Sequence, residues 1–247
     1  MLLLRSICSE LYKMKRTPIP WLHVFVPLIG AIAFRWYFSV TLNNNSLGKL
    51  TGFIEVLCMA FPLVIGLICG EIADQEVQAG NYQVILSEAC SRGIAYMSKL
   101  ILLLLLSGIS LAFTVGIFSA GINAIPPWLY FHIVLAAWGA NAFLYILHVF
   151  IGFRFGRSAS IGLGVLGSLI SSLMMTGLGD GIWRWIPWAW SAHLCGDIVF
   201  SLQNPSETVS VAADMQNGIT VCFVVTVLSL FASLLWFQRW EGSKFNE

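Results

Sequence analysis

Residues 50–122 read LTGFIEVLCMAFPLVIGLICG (50–70), EIADQEVQAGNYQVILSEACSRGIAYMS (71–98) and KLILLLLLSGISLAFTVGIFSAGI (99–122). Two apolar runs thus flank one polar stretch. Each run is long enough to cross a membrane, which takes about 20 helical residues. The polar stretch carries Glu71, Asp74, Glu76, Glu88 and Arg92 before Gly93. A tight turn between two spans needs far fewer residues than this, and lipid does not call for the polarity. The segment also holds Ile72, Val77, Tyr82, Val84, Ile85 and Leu86, so it offers apolar anchors among rim charges, as protein interfaces do. Gly80 permits a break between two short helical pieces. The pattern reads as a handle for another protein; a solvated extension of the two neighbouring helices is the plainer alternative.

The rest of the chain agrees with a lipid solvent. Hydrophobic residues make up 58% of it and charged residues only 10%, against roughly a quarter in soluble domains. A net charge of +1 leaves no basic stripe for nucleic acid. Further apolar windows lie at 20–40, 128–153, 160–178 and 218–237, making six predicted spans and an all-α membrane protein. Of thirteen Lys and Arg, ten fall on one side of this layout: Arg5, Lys13, Lys15, Arg16, Arg92, Lys99, Arg154, Arg157, Arg239 and Lys244. Arg35, Lys49 and Arg184 fall on the other. The positive-inside rule then predicts cytoplasmic termini and a cytoplasmic 71–98 segment. No cleavable signal is expected, because the positive charges of the N-terminus follow its short apolar run.

Residues 1–17 predict an amphipathic helix lying in the membrane plane. Leu3, Ile7, Leu11 and Met14 form its stripe, with Arg5, Ser9, Glu10 and Lys13 off it and KMKR reaching lipid phosphates. The prolines of TPIP then turn the chain into the first span. Ser160, Gly164, Ser168 and Ser172 form a ridge of small residues that lets another helix approach, within the chain or from a second subunit. The segment 179–217 is read as extracellular and re-entrant. Trp183, Trp185, Trp188 and Trp190 either anchor it at the headgroups or form a lid over a substrate path, and Pro187 forbids one smooth helix.

Chemistry-bearing motifs are sparse. No phosphate loop, HExxH or GxSxG occurs, and the six cysteines lack CxxC spacing. They read as small apolar fillers, with no metal site and no resident cofactor expected. Glu55 is expected to snorkel outward or to pair with Arg35 or Lys49. His132, Asn141 and His148 punctuate the fourth span and are expected to hydrogen-bond between helices. Asp180, Asp197, Glu207 and Asp214 are expected to face outside.

The order Glu76, Gly80, Leu86, Ser91-Arg92 and Lys99 resembles the permease subunits of type-2 ABC (ABC-2) exporters, although EACSR stands where relatives commonly carry a proline before Ser-Arg. That resemblance spans the chain in layout. It implies one transmembrane domain over 1–247, with an elbow helix at 1–17, a coupling helix within 71–98 seated in an ATPase subunit, and re-entrant helices within 179–217. It implies that Glu76, Gly80, Leu86, Arg92 and Lys99 couple to that ATPase, which alone binds ATP-Mg, and that the permease is not itself an enzyme. The stretch SELYKMKRTPIPWLHVFVPLIGA (9–31) is similar to permeases that give lantibiotic producers self-immunity. This implies a Gram-positive membrane, a second related permease, two ATPase copies and a cationic lanthionine-bridged peptide as cargo. Export of another antibiotic or lipid-like molecule, or peptide sequestration without transport, are the competing readings.

Overall fold

The computed structural model describes residues 2–15, 17–41, 45–87, 91–120, 122, 124–204, 206 and 208–242. Among them are nine α-helices and no strand: α1 (Leu2–Met14), α2 (Ile19–Val40), α3 (Ser46–Gln78), α4 (Gln83–Leu86), α5 (Arg92–Ser119), α6 (Pro127–Phe155), α7 (Arg157–Met174), α8 (Trp190–Gln203) and α9 (Thr208–Arg239). Helices α2, α3, α5, α6, α7 and α9 are long and apolar enough to cross a membrane. The chain is a multi-pass, all-α membrane protein. Arg16, Glu88, Cys90, Glu207 and Lys244 lie outside the described residues.

Local chemistry sets the helix ends. Asn45 caps α3 by accepting from the Gly48 N–H at 3.1 Å, and Ser91 caps α5 by accepting from the Ile94 N–H. Pro20 and Pro127 occupy the first turns of α2 and α6, where the missing N–H costs nothing. A single residue, Gly156, reverses the chain between α6 and α7 with φ of +89°, a conformation only glycine adopts freely.

The small-residue ridge of α7 packs against α3 within the chain. Ser160 Oγ donates to Gly66 O at 2.9 Å, and Ser168 Oγ accepts from the Leu63 N–H at 3.1 Å. That amide follows Pro62, whose ring disrupts the α3 ladder. Gly66 and Gly164 meet backbone to backbone: a Cβ on Gly66 would come within 2.7 Å of Ser160 O. His148 Nδ1 joins the seam at 3.2 Å from Ser160 Oγ.

His132 and Asn141 depart from expectation. They bond their own helix, to Trp128 O at 2.7 Å and Ala137 O at 2.8 Å. In lipid the carbonyl one turn back is the nearest acceptor, and only His148 reaches another helix. Glu55 gains neither proposed partner. Arg35 donates to Ile117 O and Ala120 O, and Lys49 to Phe38 O at 3.2 Å. Both cations instead satisfy helix C-terminal carbonyls.

Candidate functional site

The polar stretch 71–98 does not form a free loop. Helix α3 runs on to Gln78, and the chain turns only at residues 79–82 before the one-turn α4. Gly80, Asn81 and Tyr82 all have positive φ (+113°, 51° and 68°). The turn is nonetheless fixed, because Tyr82 is buried against Phe153 and Trp240, at ring separations of 5.4 and 4.8 Å. Ile72 and Ile85 are likewise buried within the chain. Burial, with Glu76 and Asp74 adding to it, pushes the Tyr82 hydroxyl up to about 12.

The predicted coupling residues divide into three groups. Gly80 is exposed at the tip, with Gln78, Asn81 and Gln83 beside it. Leu86 is half-buried against the core, and Arg92 donates to Trp240 O at 3.0 Å and Gln238 O at 3.4 Å, neutralising the C-terminal carbonyls of α9. Glu76 and Lys99 are buried, at 1% and 0% exposure, so they offer no partner-facing surface. Lys99 Nζ donates to Glu76 Oε1 at 2.8 Å and also to Glu10 Oε2, which α1 supplies. A cation this deep needs anions, and two helices provide one each. Lys13 completes the group by pairing with Glu10 Oε1 at 2.6 Å. Burial alone would raise the Glu10 carboxyl, but the Lys99 and Lys13 ammoniums outweigh it and hold it below its ordinary value.

This cluster draws Glu10, expected off the apolar stripe, onto the side of α1 that packs on the protein. Its protein side is Ser6, Glu10 and Met14, at helical i, i+4, i+8 spacing, with Ser6 Oγ hydrogen-bonded to Ser98 Oγ at 2.9 Å. Leu3 and Leu11 remain on the outer side. Glu10 was not singled out from sequence. The signal was present as a Ser6/Glu10 pair four residues apart, matching Ser98-Lys99 at the start of a span.

At the other end of the bundle, α7 stops at Met174 and three short 3-10 turns follow, at Gly177–Gly179, Trp183–Trp185 and Pro187–Ala189. Helix α8 then runs back among α3, α6 and α9; Cys58 Sγ of α3 contacts Ser191 O, and Cys195 Sγ contacts Ile133 O of α6. The tryptophans do not act as one belt. Trp183 and Trp190 are buried, Trp188 packs on Gly167, and Trp185 alone is largely exposed. Internal acceptors draw the indoles inward: Trp183 Nε1 donates to Asp214 Oδ2 at 3.0 Å, and Trp190 Nε1 to Arg184 O at 2.8 Å. Arg184 pairs with the other oxygen of Asp214. Asp197 is half-buried.

Between α6, α8 and α9 lies a cleft of about 500 Å³, lined by Ala136, Gly139, Ile198, Ile219 and Phe223, with His132 and Thr226 as its polar members. Among the described residues no group of His, Cys, Asp and Glu can hold a metal ion. The arrangement is that of packed spans with a rigid turn at one end and an apolar cleft near the other.

Residues 6–176 match the ABC-2 family transporter protein family. The chain belongs to that family. The ABC-2 assignment makes it the membrane component of an ABC exporter rather than the ATPase, and it implies an ABC ATPase partner. A search of curated proteins gives no match.

Proposed function

We propose that this ABC-2 permease presents the turn at residues 78–84 to its ATPase and expels a lantibiotic peptide from the membrane for producer self-immunity. The observation that carries the coupling reading is the buried Glu10–Lys99–Glu76 group directly behind that turn. Gly80 and its exposed neighbours meet the ATPase. Glu76 and Lys99 pass displacement of the turn to α5 and α1, Arg92 passes it to α9, and Leu86 ties α4 to the core. Two ATPase copies and a second related permease complete the exporter, in a Gram-positive cell membrane with both termini cytoplasmic. The spans then shift between two packings as rigid elements.

The cargo is a cationic, lanthionine-bridged peptide entering from the outer leaflet near Trp185 and Trp188, with Trp183 and Trp190 holding that wall in place. The 9–31 stretch supports this cargo. The apolar cleft of α6, α8 and α9 favours a second reading, export of a lipid-like molecule, because its lining offers area without charge.

Coexpression with neighbouring genes in a sensitive host tests both readings. Lantibiotic tolerance that needs this chain and the ATPase supports the first; protection that persists without the ATPase makes the chain a sequestering protein. For topology, Asn81→Cys in a Cys8→Ser background is probed on intact cells with an impermeant thiol reagent. Labelling from outside would overturn the coupling assignment.

A further inference from the structure

Pro27 interrupts α2 one turn beyond His23. Having no N–H, it leaves the His23 carbonyl without its helical donor. In hydrocarbon that carbonyl must be satisfied by something else, and Ser110 Oγ of α5 donates to it. Directly beside this contact is a cavity of about 30 Å³ whose polar lining is His23, Ser107, Ser110, Thr114 and Tyr145.

The protons around it can be assigned. His23 is 4% exposed, and its Nδ1 lies 3.0 Å from Ile19 O. A carbonyl only accepts, so Nδ1 carries the hydrogen and Nε2 of the neutral ring is an acceptor. That Nε2 is buried and no protein group donates to it. The neighbouring hydrogens are committed elsewhere: Ser107 to Leu104 O at 2.9 Å, Ser110 to His23 O, and Thr114 to Ser110 O at 2.7 Å. The Tyr145 hydroxyl lies on the same wall. Each serine and threonine oxygen keeps lone pairs, so the chamber is richer in acceptors than in donors.

We infer that this chamber is a binding site for one ordered water molecule, which donates to His23 Nε2 and to Thr114 Oγ1. The ligand class follows from the lining. An anion finds no cationic side chain, and a metal ion finds no carboxylate. Water needs about 10–15 Å³ and two or more polar partners, and both are present. The site hydrates the break at Pro27 inside the membrane, making the α2–α5 seam an exchangeable polar contact. It stands independently of the cargo and of the coupling proposal.

X-ray hydroxyl-radical footprinting of the full chain in phosphatidylcholine nanodiscs tests it, because a bound water generates radicals beside otherwise buried side chains. Ile65 and Leu111 line the chamber, and Leu103 and Ile133 are comparably buried elsewhere. Labelling of Ile65 and Leu111 is expected to exceed that of Leu103 and Ile133 about fivefold. It should fall to their level in His23→Leu and recover in His23→Gln. Thr114→Val, nearly isosteric, is expected to reduce it even if His23→Leu does not fold. Equal labelling at all four positions, or labelling unchanged in Thr114→Val, overturns the assignment.

Discussion

Replacing Lys99 by Met removes the one ammonium that Glu10 and Glu76 share. All three side chains are at most 1% exposed, so solvent cannot replace it. Glu76 then keeps no ion-pair partner among the described residues, whereas Glu10 keeps its Lys13 contact. Breaking a buried ion pair by deleting one partner costs about 3–5 kcal/mol. With Glu76 stranded and Glu10 left with its Lys13 contact alone, the upper end applies, about 5 kcal/mol. At roughly 2–4 °C per kcal/mol for a chain of this size, the apparent unfolding midpoint should fall about 10–20 °C. Intrinsic tryptophan fluorescence during heating in detergent measures this. The decisive comparison is the triple variant Glu10→Gln, Glu76→Gln, Lys99→Met, which removes all three charges of the triad. It should regain most of the lost stability, because a buried ionic group can be replaced by neutral residues at little net cost. A Lys99→Met midpoint within about 3 °C of the wild type, or a triple variant no better than the single one, refutes the reasoning.

Three further outcomes are expected. Gly66→Ala puts a Cβ 2.7 Å from Ser160 O, backbone that cannot yield locally, and should cost about 1–3 kcal/mol in the same melt, whereas Gly162→Ala meets nothing within 4 Å and should be neutral or slightly stabilising. Gly218→Ala brings a Cβ to 2.2 Å from Trp183 Cη2, so Trp183 must move off Asp214; a shifted emission maximum and a loss of about 1–3 kcal/mol are expected, and an unchanged spectrum counts against the packing. Burial, and then the charge of Asp214, push the Asp197 carboxyl up to about 6, above the roughly 3.9 of an unfolded chain. The native state therefore holds the extra proton between about pH 4 and 6, and the associated stability is complete below that window and lost as pH rises through 6. Asp197→Asn should flatten the change in midpoint between pH 4.5 and 7.5; an identical slope in both proteins removes Asp197 as its source.

The spans were legible because each is an apolar window about 20 residues long, and the constraint that forces backbone bonds inward in lipid leaves few other solutions. The turn at Gly80 was legible too, but not where the preceding helix ends. Residues 71–78 look like loop by polarity, yet they stay helical because their charges find partners: Glu71 and Asp74 on Arg157, Glu76 on Lys99. Long-range pairing is what a single sequence hides. Glu10 and Lys99 are 89 positions apart, and nothing in the local period of α1 distinguishes an acid facing phosphate from one facing a buried ammonium. The tryptophans misled for a related reason. An indole reads as an interface anchor until an internal acceptor is known, and Asp214 and Arg184 O are set by tertiary contacts.

The two ends of the bundle are held by different physics, and this bears on how movement passes through it. Near the Gly80 turn the links are ionic and directional: Lys99 to α1 and α3, Arg92 to the end of α9, Arg157 from α7 to α3. Around Phe53, stacked on Phe118 at 3.9 Å, and around α8, the links are mostly apolar contacts, which resist sliding less. Stability does not require the buried ions, since a neutral replacement is expected to hold the fold nearly as well. Their distinguishing property is that they fix three helices in register with one turn. If that register is what an ATPase pushes on, the charge-free triple variant should fold, insert and still fail to protect cells. Full protection by that variant would leave the ionic group as packing alone and would move the coupling path to α4 and its contact with the aromatic cluster of Tyr82, Phe153 and Trp240.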